Sequence, residues 1–206
     1  MAAYFQFGEL QLDVLKEIGN IGAAHAATAL SQLLEKPIDM MVPKVRIVSF
    51  DEIADSVGGA EQVVAAVFFR VTGDAPSSMF FIMELDSVRK LLNRIVGVPD
   101  PDGQEYSELE LSALNEVGNI LAGSYLSSLA DFTKLDMHPT VPMLAIDMAG
   151  AILGYGLLPY GQYGDQALMI DTMFAEGNEQ LKGYFFLLPD MESFAKIFAA
   201  LGVPPE

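Results

Sequence analysis

"LKEIGNIGAAHAATALSQLL" occupies residues 15–34, and "LNEVGNILAGSYLSSLADF" occupies residues 114–132. The two stretches describe the same helix. Leu15 corresponds to Leu114, Glu17 to Glu116, Gly19 to Gly118, Asn20 to Asn119 and Ala23 to Ala122, always 99 residues apart. The correspondence runs outward to Leu12 and Leu111 on one side and to Pro43 and Pro142 on the other. Further along, Phe80-Phe81 matches Phe185-Phe186 and Gly97-Val98-Pro99 matches Gly202-Val203-Pro204, now 105 apart. The chain therefore reads as an internal duplication. A six-residue insertion is expected in the second copy, within the glycine- and tyrosine-rich stretch "GYGLLPYGQYGDQ".

Each half offers the same order of elements. Apolar residues at helical spacing predict a long helix over 9–34, stopped before Pro37, and another over 107–132. "IDMMVPKVRIVSF" and "LDMHPTVPMLAI" read as strands whose prolines enter or interrupt them near a sheet edge. Short helices follow in "DEIADSVG", with Asp51 as its cap, and in "DMAGAIL". Two strands rich in β-branched and aromatic residues come next, and then a helix, which Gly97 ends in the first half. This pattern predicts an α+β fold with pseudo-twofold symmetry. Each half alone is near the size at which a core becomes marginal. A single domain over residues 1–206 is therefore expected, built from repeats of about 1–100 and 101–206.

Composition narrows the functions. The 206 residues are 51% hydrophobic, yet the longest uncharged helical stretch carries Asn20, His25, Thr28, Ser31 and Gln32. It reads as a buried amphipathic helix and not as a bilayer span. The first residues lack the basic start of a secretory signal, so a cytoplasmic protein is expected. Eleven Lys and Arg against 28 Asp and Glu, a net charge of −17, argue against nucleic acid and against an anionic membrane surface. Cysteine is absent, which removes disulfides, thiol nucleophiles and thiolate metal sites. His25 and His138 lack partners at catalytic or metal-ligating spacing, and the eleven methionines read as core filler.

What remains is a polar stripe on each long helix. At 100° per residue, Asp13, Glu17 and Asn20 fall within about 60° of one another. They lie opposite Leu15, Ile18, Gly22 and Ala26. Ser112, Glu116 and Asn119 repeat the arrangement opposite Leu114, Val117 and Leu121. A mid-helix asparagine and glycine are both poor helix formers, yet both copies retain them. The glycines read as places where another element packs closely. A carboxylate and a carboxamide one turn apart can pair with a cation and hold a water. Asparagine is no general base at neutral pH, so it helps only where positioning a water limits an already easy hydrolysis. Acyl phosphates meet that condition, and the water-orienting glutamine of GTPases works comparably.

The doubled pattern [Asp/Ser]-x3-Glu-x2-Asn-x22-Pro resembles the CheC/CheX/FliY phosphatases of bacterial and archaeal chemotaxis. So does the text around it, including "EIGNIGAAHAATALSQLL", "NILAGSYLSSLADFTKL" and "FFLLPDMESFAKIFAALG". The resemblance spans nearly the whole chain. It implies two long helices side by side over a largely antiparallel sheet. It also implies hydrolysis of the phosphoaspartate of the response regulator CheY. Glu17 and Glu116 would pair with the regulator's lysine, and Asn20 and Asn119 would align the attacking water. Asp13, Ser112, Pro43 and Pro142 would support the motif. The chain itself would bind no cofactor, the Mg2+ residing on CheY. The family also implies binding of the receptor deamidase CheD through the short helix of the second half. Asp147 is the candidate contact there, or else merely the cap of that helix. The resemblance is to a freestanding member of the family, so the flagellar-switch domain that FliY adds is not expected. The alternative to catalysis is an adaptor or scaffold that regulates CheD or resembles a flagellar-switch protein.

Overall fold

The computed structural model describes residues 8–97, 106–157, 166–176 and 179–203. The first half contains α1 (Glu9–Leu34), β1 (Asp39–Met41), β2 (Val45–Ser49), α2 (Phe50–Ser56), β3 (Val63–Gly73), β4 (Ser77–Glu84) and α3 (Leu85–Val96). The second half repeats this order as α4 (Glu108–Thr133), β5 (Met137–Pro139), β6 (Met143–Met148), α5 (Ala149–Leu157), β7 (Gln166–Glu176), β8 (Glu179–Pro189) and α6 (Met191–Ala200).

The helix ends follow local chemistry. Ser107 accepts the Glu110 N–H and Glu110 reaches back to the Ser107 N–H, a reciprocal capping box that opens α4. Ser49 and Glu52 do the same for α2. The expected cap, Asp51, instead lies inside that helix, because the Ser-x-x-Glu pair that starts two residues earlier satisfies two amides at once. The Ser49 bonds also hold the Glu52 carboxyl below its usual range. Both long helices close on left-handed residues, Glu35 (φ 52°) and Lys134 (φ 59°), which are mates in the repeat.

All strand pairings are antiparallel, and strands of both halves interleave in one sheet ordered β1-β7-β8-β4-β3-β5. β2 joins β7 beside β1, and β6 joins β3 beside β5. The edge strands of each half thus pair with the other half, β1 and β2 with β7, and β5 and β6 with β3. The long helices α1 and α4 lie side by side on one face. There a Cβ on Gly22 would come within 3.0 Å of the Tyr125 Cα. Leu15, Ile18, Leu114, Val117 and Leu121 pack with Val67, Phe81, Ile170 and Phe185 in the larger core, which α3 and α6 extend through Leu92 and Phe198. Ile53 of α2, Val57 at its C-cap, and Ile152 and Leu153 of α5 cover Phe80, Ile82, Met169 and Phe186 on the opposite face. The sheet is therefore buried on both sides.

That double burial corrects the repeat register. Val45 pairs with Ile170, and its mate Leu144 pairs with Val67. Val67 in turn pairs with Phe81, and Ile170 with Phe185. Phe81 therefore corresponds to Phe185, which lies directly opposite it at the centre of the sheet. The expected match of Phe80-Phe81 with Phe185-Phe186 is one residue out of register. It would put Phe80, in the smaller core, in the place of Phe185, in the larger one. A one-residue shift in a strand moves every side chain to the other face. The expected six-residue insertion is also redistributed. The spacing is 99 at Val45/Leu144 and 103 at Val67/Ile170, so four extra residues fall between β6 and β7. Residues 158–165, within the stretch expected to hold it, lie outside the described residues.

Candidate functional site

Each edge strand is broken at its proline. Met41 pairs with Met173 and Val45 with Ile170, so three residues face two on β7. Pro139 pairs with Val71 and Met143 with Phe68, and again three residues face two on β3. The bulge takes the residue before each proline out of the ladder. Proline adds no N–H of its own and holds its predecessor extended.

In the first copy this freed amide meets the polar stripe. The Val42 N–H donates to Asn20 Oδ1 at 3.0 Å. Val42 itself is 2% exposed, and its Cγ2 lies 3.4 Å from where a Cβ on Gly19 would stand. A buried amide without a partner costs about 1–3 kcal/mol, so the Asn20 side chain also satisfies a structural demand. Asp13, Glu17 and Pro43 are exposed, and Asn20 is half-buried. The half-buried state follows from the bond: Oδ1 turns toward the strand and Nδ2 turns away from it.

The second copy differs. Ser112, Glu116 and Asn119 are exposed, Pro142 is half-buried, and Val141 is 83% exposed. Among the described residues, neither the Asn119 amide nor the Val141 N–H has a hydrogen-bond partner. The cause lies one layer down. A Cβ on Gly118 would stand 2.6 Å from Val67 Cγ2, whereas Ile170, the counterpart of Val67, is 3.8 Å from the equivalent point on Gly19. The sheet strand itself fills the niche over Gly118, so Val141 stays outside. Over Gly19 the niche is open, and Val42 enters it. The expectation of close packing thus holds for Gly118, while Gly19 makes only ordinary contact.

Asp147 is not in a helix. It is the penultimate residue of β6, paired with Val64, and α5 begins only at Ala149. Its Oδ1 accepts the N–H of the next residue, Met148, at 2.7 Å, so it does not cap α5 in the usual way. It is exposed, beside the partly exposed pair Val63 and Met148. Met79, Met83, Met137 and Met169 are core residues as expected, whereas Met41, Met143 and Met148 are exposed, which corrects the reading of the methionines as core filler for these three. His138 Nε2 lies 2.8 Å from Asp136 Oδ1 on the open surface, and His25 is exposed.

The concavities lie elsewhere. An open groove of about 720 Å3 runs between α1 and β1, floored by Ala24, Ala27 and Ser31. Two closed apolar voids of about 30 and 10 Å3 lie in the core. Glu17, Asn20, Glu116 and Asn119 line none of the three. Among the described residues no cluster of three or more His, Asp or Glu is placed to hold a metal, and no helix is long and apolar enough to cross a membrane. Each carboxylate–carboxamide pair thus lies on a helix face outside these three concavities, without the enclosure typical of a small-molecule site.

The fold and these two faces define a duplicated α+β module with a Glu-x2-Asn pair on each long helix. The CheC-like family matches residues 10–47 and 109–146, in each half the run from the long helix through the broken edge strand. The CheY-P phosphatase CheC of Bacillus subtilis (strain 168) is 46% identical over 98% of this chain and 99% of its own length. The chain belongs to the CheC-like family. Among solved structures, FliY of Thermotoga maritima superposes with a TM-score of 0.77 at 20% identity, covering 95% of this chain and 98% of that one. CheX in a CheX–CheY–BeF3–Mg2+ complex from Borrelia burgdorferi reaches 0.51 at 17% identity, over 82% and 96%. At those identities the two structures show a shared fold.

Proposed function

We propose that the chain hydrolyses the phosphoaspartate of a CheY-type receiver domain at two surfaces. Glu17 and Glu116 each pair with the receiver's lysine, and Asn20 and Asn119 each hold the attacking water. The water oxygen bonds to phosphorus, the bond from phosphorus to the aspartyl oxygen breaks, the water's protons stay with the phosphate, which leaves as inorganic phosphate, and the aspartate carboxylate is regenerated on the receiver. The carboxamide takes no proton; it lowers the entropic cost of placing the water. The receiver brings the phosphate and the Mg2+. The observation that carries this reading is the Glu-x2-Asn pair at equivalent places on both helices, with both glutamates and Asn119 exposed and Asn20 half-buried, in a chain 46% identical to a CheY-P phosphatase.

The test is the decay of phospho-CheY with wild type and with Asn20→Ala/Asn119→Ala. The double variant is expected to lose all acceleration while keeping its circular dichroism. Acceleration equal to wild type would refute the reading.

The same reading extends to CheD, with exposed Asp147 and the adjoining Val63–Met148 pair as the contact. Titrating CheD with wild type and Asp147→Lys is expected to show at least a tenfold weaker complex for the variant. Equal affinities would remove Asp147 from the interface.

A further inference from the structure

We propose that the backbone N–H of Val42 is a positioning group for the first surface, and that the second surface works without one. The proposal rests on the phosphatase reading above and explains the proline that follows each asparagine at a distance. The bond from Val42 N–H to Asn20 Oδ1, 3.0 Å long, restricts the carboxamide to one orientation. An N–H can only donate, so Oδ1 must face the strand and Nδ2 must face the partner. The Asn20 amide is thus set before docking and meets a water as a donor, with one oxygen lone pair of Asn20 left over.

Three features hold Val42 in place. The bulge opposite Asp171 and Thr172 takes its N–H out of the ladder. Pro43 keeps it extended. Its side chain is seated over Gly19 and is 2% exposed. Val141 shares the bulge and the proline but not the seat, and at 83% exposure it leaves Asn119 unanchored. Asn119 therefore offers either end of its amide and is ordered only when the receiver docks. Preorganisation lowers the cost of reaching the reactive geometry, so it shows in turnover more than in binding.

Amide hydrogen exchange on the full chain tests the anchoring without any assay of activity. The Val42 amide is expected to exchange at least tenfold more slowly than the Val141 amide. Asn20→Ala should abolish that difference, while Val45 and Ile47 of the neighbouring strand keep their rates. Equal exchange at Val42 and Val141 in wild type, or protection at Val42 that survives Asn20→Ala, overturns the proposal. Turnover then tests the consequence. In an Asn119→Ala background, Pro43→Ala is expected to lower kcat for phospho-CheY about tenfold with KM unchanged. An equal loss from Pro142→Ala in an Asn20→Ala background would overturn the asymmetry. The exchange result decides the anchoring whether or not the protein is a phosphatase; the double asparagine variant decides the activity.

Discussion

The two long helices carry the same Glu-x2-Asn pair, yet they sit on the sheet differently. Around Gly118 the helix rests directly on Val67 of β3. Around Gly19 it stands off Ile170 of β7, and Val42 fills the gap. From this difference in seating follow the others: a buried Val42 against an exposed Val141, and an anchored Asn20 against an Asn119 without a partner among the described residues. Duplicated motifs need not remain duplicated sites. Retained residues keep the chemistry available, while packing beneath them decides how firmly each is held.

Five substitutions would break or sharpen this comparison. Gly118→Ala drives a methyl against Val67 Cβ, Cγ1 and Cγ2 at 2.6–2.8 Å and is expected to cost about 3 kcal/mol in urea unfolding. Gly19→Ala meets nothing closer than 3.4 Å and should be neutral or stabilise by up to about 1 kcal/mol. Equal costs would mean that both helices are seated alike.

The core between the helices is also unequal. Tyr125 stands where the first copy has Ala26, and its hydroxyl shares a 3.0 Å hydrogen bond with Thr172. Burial pushes its pKa up to about 12. A phenol whose folded pKa is raised stabilises the fold fully below the unfolded value of about 10, and that contribution is lost as pH rises toward 12. Stability should therefore fall by about 2 kcal/mol across this window, and Tyr125→Phe should flatten the fall. An unchanged alkaline limb in that variant would assign the loss to other groups.

The asparagines themselves should separate least. Asn20→Ala strands the buried Val42 amide, a cost partly offset by the better helix propensity of alanine, for a net loss of about 1 kcal/mol. Asn119→Ala removes nothing that is bonded and should stay within about 0.5 kcal/mol of wild type. Thermal unfolding of the two single variants reads the difference directly. The exposed-looking polar stripe suggests equal and mild effects; the Val42 bond removes that equality.

Local periodicity carried much of the molecule. The 26-residue span of α1, the left-handed Gly97 that ends α3 and the prolines that interrupt the edge strands are all readable, because each depends on neighbours within one turn or one bulge. Ser49-x-x-Glu52 was readable too, as a capping box, although Asp51 is the more obvious acidic cap. Asp147 misleads because "DMAGAIL" has helix-forming composition, while its first two residues are claimed by pairing with β3.

The sequence by itself determined the duplication, the helix faces and the placing of Glu17, Asn20, Glu116 and Asn119 on the outward stripes. Periods of 3.6 residues and a repeat of 99 are properties of the chain alone. Tertiary structure decided the register of β4 against β8, since β4 is buried on both faces and shows no alternation to mark it. It also decided which asparagine is anchored. That outcome turns on how closely a helix approaches a strand, a distance of about an ångström that no residue on either helix encodes alone.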